Sequence, residues 1–206
     1  LLEAMDEALA DSGEDSWTDP ATELHAGLEA AGRGLDRASV DTEELVRVFD
    51  RGLEAGLEAA GALRCQLLGV TVGLAFEAWD RGLHSSVGLS FVSWLRQHSP
   101  WLAHQEACQI QQVVRAGDSH WGKPLLHAVI EGATGVDRAA KVARTMRRLA
   151  PRLSAEGAEE YAGIATAAAM NPGLSDADLE VVCKKLLIDL LDEKPKDEAK
   201  ETQQGL

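Results

Sequence analysis

The stretch TGVDRAAKVARTMRRLAP, Thr134 to Pro151, decides the fold. Val142, Met146 and Leu149 recur at spacings of four and three, while Arg138, Lys141, Arg144, Arg147 and Arg148 form a stripe opposite them. That is the period of an amphipathic helix, and it lacks the strict alternation of a half-buried strand. Thr134 reads as the N-cap. Pro151 has no amide hydrogen and clashes with the preceding turn, so it reads as the stop. A shorter helix precedes this one, opening at Pro124, running through Glu131 and ending at Gly132. The two make a helix, turn, helix unit.

The same pattern recurs upstream. Ser90 is placed to cap a short helix carrying Phe91, Trp94 and Leu95, and Ser99-Pro100 closes it and opens the next. That next helix holds Leu102, Ala107, Ile110, Val113 and Val114 and ends near Gly117. Both units follow one long helix. Asp41 or Thr42 caps it, Glu44 is set to complete a capping box, and apolar residues recur from Leu45 through Leu68 toward Asp80. Gly52 and Gly56, then Gly69 and Gly73, lie four apart and leave a face on which another backbone can approach. Downstream, a helix is predicted from Ser154 to Met170. Asn171-Pro172-Gly173 makes a turn, and Ser175 with Asp178 starts a last helix ending near Glu193.

The expected fold is therefore all-α, a multi-helix domain with one long helix and two successive helix-turn-helix-like units. Three segments are expected: an N-terminal helical and acidic segment over 1–40, the main helical domain over 41–193, and a polar tail or linker over 194–206. In the first, Leu1 to Ala10 reads as a short amphipathic helix, Asp11 to Ser16 as a flexible acidic connection, and Ala21 to Arg37 as a glycine-weakened helix. The chain opens without an initiator Met and ends in the polar tail, so it reads as a piece of a longer protein.

Composition narrows the function classes. Formal charge is -14 over 206 residues, which argues against a general nucleic-acid binder. The charge is uneven, however: residues 1–60 hold 16 acids and 4 bases, 61–154 hold 6 acids and 11 bases, and 155–206 hold 12 acids and 5 bases. A basic middle between acidic ends suits either a nucleic-acid partner or internal pairing with the acidic ends. Cys65, Cys108 and Cys183 are odd in number and widely spaced, so a reducing, cytoplasmic setting is expected. The longest apolar run, Leu67 to Phe76, is about half a bilayer span, and no membrane association is expected.

No catalytic constellation is present. His25, His84, His98, His104, His120 and His127 form no motif. His104 and Cys108 lie one turn apart, but a zinc site needs about four ligands and no second pair completes it. No serine lies in a nucleophile elbow, and no Gly-rich loop cradles phosphates. Adjacent acids such as Glu159-Glu160 and Glu43-Glu44 point to different helix faces. No enzyme, metal or cofactor is expected. Trp79, Trp94, Trp101 and Trp121 read as core anchors or as a partner-binding cluster. Arg138, Lys141, Arg144, Arg147 and Arg148 are the candidate nucleic-acid contacts, presented by the Gly132 to Gly135 turn as in a recognition helix. A solvated or salt-bridged surface stripe is the competing account.

One ordered set of residues resembles a known family. Trp94-Leu95, Glu106-Ala107, Ala116, Pro124-Leu125-Leu126, Ala128, Gly132, Arg138-Ala139 and Leu149 follow the order found in a helical domain of unknown function, DUF222, which overlaps the 13E12 repeat family. That domain precedes HNH endonuclease modules in actinobacterial proteins. The order holds over Leu45 to Asp192; Asp118 to Lys123, with His120 and Trp121, and residues 1–40 lie outside it. The resemblance implies a non-catalytic accessory domain that contacts double-stranded DNA or mediates oligomerisation, as a homodimer, while cleavage resides in a module outside this chain. The alternative is a protein-protein interaction scaffold with no nucleic-acid role.

Overall fold

The computed structural model describes residues 19–38 and 42–192, and among these it is all-helical, with no strand. The expectations for Leu1 to Ala10, Asp11 to Ser16 and the tail from 194 lie outside the described residues. The chain divides into two compact units, 1–53 and 54–206. In the first, α1 spans Pro20–Ala38 and α2 is a single turn, Thr42–Leu45. The Asp19 carboxylate starts α1 by accepting from the Ala21 amide and the Thr22 hydroxyl, both at 3.4 Å.

The long helix begins later than the sequence suggests. α3 spans Asp50–Asp80, and Val46 to Phe49 interrupt the path from α2. Two β-branched valines and a phenylalanine are poor helix formers, and Val46 and Phe49 gain no burial, being 86% and 87% exposed. The Phe49 carbonyl then accepts from the Gly52 and Leu53 amides at 2.7 and 3.2 Å and restarts the helix. A Cβ on Gly52 would meet the Val48 side chain at 2.7 Å, so an alanine there would require that side chain to shift.

The second unit carries the core. After α3 come α4 (Leu83–Ser86), α5 (Phe91–His98), α6 (His104–Gly117), a 3-10 turn (His120–Gly122) and α7 (Lys123–Ile130). Then follow α8 (Val136–Leu149), a second 3-10 turn (Ala150–Arg152), α9 (Ala155–Met170) and α10 (Asp176–Asp192). Helix α8 is central: it packs against α6, α7, α9 and α10. Leu125, Ile110, Val113, Val142, Met146 and Leu179 are completely buried. The far end of α3 joins this core through Leu68, Val72 and Ala75. There Gly69 matters, because a Cβ at this position would lie 2.5 Å from the Ile130 carbonyl oxygen and 2.7 Å from that of Val129. α3 thus crosses the end of α7 backbone to backbone.

Two start and stop expectations shift. Ser90 caps α5 as expected, accepting from the Ser93 amide at 3.1 Å, but α6 opens at His104 and not at Pro100. Thr134 does not cap α8: Gly135 holds the N-cap position, and the Thr134 hydroxyl turns away to donate to the Ala169 carbonyl at 3.0 Å. Gly132, at φ 72°, ends α7 in the left-handed region, and the Ala133 amide reaches back to the Ala128 carbonyl at 2.8 Å.

Candidate nucleic-acid interface

Helix α8 segregates its residues sharply. Ala139, Ala140, Val142, Ala143, Met146 and Leu149 are buried, and the charged residues lie on the remaining stripe. Asp137 in the first turn and Arg147 and Arg148 in the last complement the helix dipole. The five predicted contacts nevertheless divide into two groups.

Arg138 is committed to the protein itself. Its Nε donates to the Ala169 carbonyl at 2.9 Å, and Nη1 donates to the Leu174 carbonyl at 2.9 Å and to Asp176 Oδ1 at 3.1 Å. Nη2 donates to the carbonyls of Ala168 at 3.2 Å and Asn171 at 3.3 Å. A helix end leaves about four carbonyls without partners. α9 has no basic residue in its own last turn, and the guanidinium of Arg138, a side chain 18% exposed, supplies the donors. Lys141 leans the same way, with Nζ 3.9 Å from Asp176 Oδ2. The N-terminal end of α8 therefore does not present Arg138 to a base edge, and the helix centre is buried among its neighbours. This differs from the expected recognition-helix use, in which the N-terminal residues of the second helix enter a groove. Packing decided the outcome, because the apolar face of α8 is wide enough to be covered from several sides.

Arg144, Arg147 and Arg148 are exposed at the other end of α8. Arg144 Nε donates to the Ala140 carbonyl at 3.3 Å, while Arg147 and Arg148 have no ion-pair partner among the described residues. Helix α10 brings one further cation, Lys184, beside Arg144 and Arg148. Lys184 pairs with Glu180 at 2.9 Å, one turn apart, and Lys185 is exposed. Between the helices runs a groove of about 370 Å³, walled by Lys141, Arg144 and Arg148 on one side and Glu180, Lys184 and Leu187 on the other. Thr145 and Cys183, both buried, form its floor. The hydrogen bond from Lys184 holds the Glu180 carboxyl below its ordinary range, helped by the charges of Lys184 and, more weakly, Lys141.

Lys184 was not legible as a site residue, because its helix is acidic overall; only the three-dimensional neighbourhood of α8 selects it. The other candidates are more ordinary. His104 Nε2 and Cys108 Sγ lie 3.5 Å apart, and no group of three or more potential metal ligands occurs among the described residues. Glu159 and Glu160 are exposed. Trp79, Trp94 and Trp121 pack against the core, whereas Trp101 is 57% exposed. Trp79 donates to Asp118 Oδ2 at 2.9 Å, stacks on His84 at 4.9 Å and carries the Arg115 guanidinium 5.2 Å above its ring.

One described helix, α3, is long and apolar enough to cross a membrane by length and composition, with a mean hydropathy of 1.5 over an 18-residue window. Its C-terminal half carries buried core residues, including Leu68, Val72 and Ala75. Compared with family models, curated proteins and solved structures, the chain matches none.

Proposed function

We propose that this chain is a non-catalytic helical accessory domain that contacts the phosphate backbone of double-stranded DNA through the C-terminal end of α8 and the adjoining face of α10. The carrying observation is that Arg144 and Arg148 of α8 and Lys184 of α10 line one groove, with Arg147 exposed in the same last turn of α8, in a chain of net charge -14. In an acidic protein, arginines without an ion pair among the described residues are a local exception, and arginine is the side chain best matched to phosphate. The resemblance to the domain that precedes HNH nuclease modules agrees with this role, with cleavage assigned to a module beyond this chain. Contact with phosphate from outside, not insertion of α8 into a groove, is the mode that the burial of α8 supports. Fluorescence anisotropy with a labelled duplex at low and moderate salt tests the proposal. Three neutralised phosphates give a slope of log affinity against log salt of about -2.7. Absence of salt-dependent binding overturns it.

A second reading, self-association through α3, has its own observation. Leu53, Leu67 and Leu74 recur at multiples of seven with Ala60 between them, and the three leucines are 40%, 43% and 49% exposed. Heptad spacing of exposed leucines is the pattern of a helix that pairs with another. Analytical ultracentrifugation decides it: a monomer at all concentrations removes this reading.

A further inference from the structure

We infer that the groove between α8 and α10 is a seat for two closely spaced phosphate groups, either a diphosphate or neighbouring phosphates of a nucleic-acid strand. Lys141, Arg144, Arg148 and Lys184 against Glu180 alone leave a formal +3 in one recess of about 370 Å³. A diphosphate at neutral pH carries a compensating charge, and the volume lies at the small end of ligand sites. The cations are available. Among the described residues Arg148 has no ion-pair partner, and Arg144 spends only Nε on the Ala140 carbonyl, leaving its two terminal nitrogens. Lys141 is only loosely held, 3.9 Å from Asp176. Arg144 and Arg148 stand one helical turn apart on one face, so two planar forks present themselves side by side.

The floor asks nothing polar of a ligand, since the Thr145 hydroxyl already donates to the Lys141 carbonyl at 3.0 Å. Helices wall both sides of the groove. Glu180 acts as an internal competitor, holding Lys184 at 2.9 Å until phosphate replaces it. The inference rests on the nucleic-acid reading only for the source of the phosphates; the recognising chemistry is the same for both.

The test uses the whole chain with sodium pyrophosphate in calorimetry and a labelled duplex in anisotropy. Arg148→Ala and Lys184→Ala are each expected to weaken pyrophosphate about fivefold or more, and Glu180→Gln to tighten it about threefold. Arg96→Ala, an exposed charge on α5, serves as the charge-matched control and leaves pyrophosphate binding unchanged. Glu180→Gln keeps the test decisive if an arginine variant fails to fold, because it predicts a gain. Pyrophosphate that does not bind at millimolar concentration, or that is weakened as much by Arg96→Ala as by Arg148→Ala, overturns the inference. Duplex binding without pyrophosphate binding removes the groove and leaves the DNA reading intact. Pyrophosphate binding without duplex binding does the reverse and assigns the groove to a free polyphosphate.

Discussion

Arg138 and Ala169, 31 positions apart in sequence, are joined by a 2.9 Å hydrogen bond from Nε to the carbonyl that ends α9. The Thr134 hydroxyl donates to the same oxygen at 3.0 Å. One carbonyl thus gathers the start of α8 and the end of α9, and Nη1 of Arg138 extends the tie to the Leu174 carbonyl and to Asp176 at the start of α10. Arg138→Ala strands several carbonyls and is expected to lower stability by about 3 kcal/mol. Lysine cannot reproduce the fork and is expected to recover about half at most. Because Thr134 and Arg138 share an acceptor, Thr134→Val and Arg138→Ala should combine non-additively in a urea-unfolding double-mutant cycle. Additive losses would show that the two donors act independently.

The exposed arginines behave oppositely. Among the described residues, Arg144, Arg147 and Arg148 make no ion pair, and the Arg144 backbone bond is their one side-chain hydrogen bond. Each alanine substitution is expected to change unfolding free energy by no more than about 0.5 kcal/mol. Each should also reduce the salt slope of duplex binding by about 0.9. The arginines of the stripe read from sequence are therefore expected to separate by assay, Arg138 registering in denaturation and Arg144, Arg147 and Arg148 in binding.

The same segment shows what the sequence could and could not reveal. Period and turn chemistry located α8 to within a residue of Val136–Leu149, because an apolar face opposite a charged one is local information. The last turn of α9 holds no basic residue, so its end carbonyls take their donor from elsewhere in the fold. Which arginine would supply it was not legible, since that depends on how α9 and α10 fold back onto α8. Thr134 misled for a related reason: a threonine before a helix is a good cap locally, and a buried carbonyl 35 residues away competed for its hydroxyl. The merged start of the long helix failed because propensity at Val46 to Phe49 outweighed a periodic pattern that found nothing to bury against.

Glycine pairs spaced four apart in α3 are equivalent in sequence and unequal in structure. A Cβ at Gly69 meets two α7 carbonyl oxygens at 2.5 and 2.7 Å, whereas one at Gly56 meets nothing within 4 Å. Gly69→Ala forces α3 away from α7 and is expected to lower stability by about 2 kcal/mol. Gly56→Ala is expected to raise it by about 0.5 to 1 kcal/mol through helix propensity alone. Thermal unfolding of the two variants checks the contrast. If α3 pairs with a second copy at Gly56, the alanine variant dissociates in ultracentrifugation instead of gaining stability.

The start of α10 carries a pH dependence of known sign. Ser175 and Asp178 close a reciprocal cap: the Ser175 hydroxyl and amide donate to Asp178 Oδ2 at 2.6 and 3.0 Å, and the Asp178 amide donates to Ser175 Oγ at 3.2 Å. The hydroxyl bond first, then the amide bond, lowers the Asp178 carboxyl below the ordinary value of 3.8. A carboxyl lowered in the folded state contributes stability that is fully present above its unfolded value and is lost as pH falls through its folded value. Wild-type protein should therefore exceed Asp178→Asn in stability at neutral pH, with the difference shrinking below about pH 4. Urea midpoints for both proteins between neutral and acid pH measure it. A difference independent of pH would mean that the asparagine disturbs α10 by some route other than the lost carboxylate, and a difference that grows on acidification would reverse the assignment of the cap.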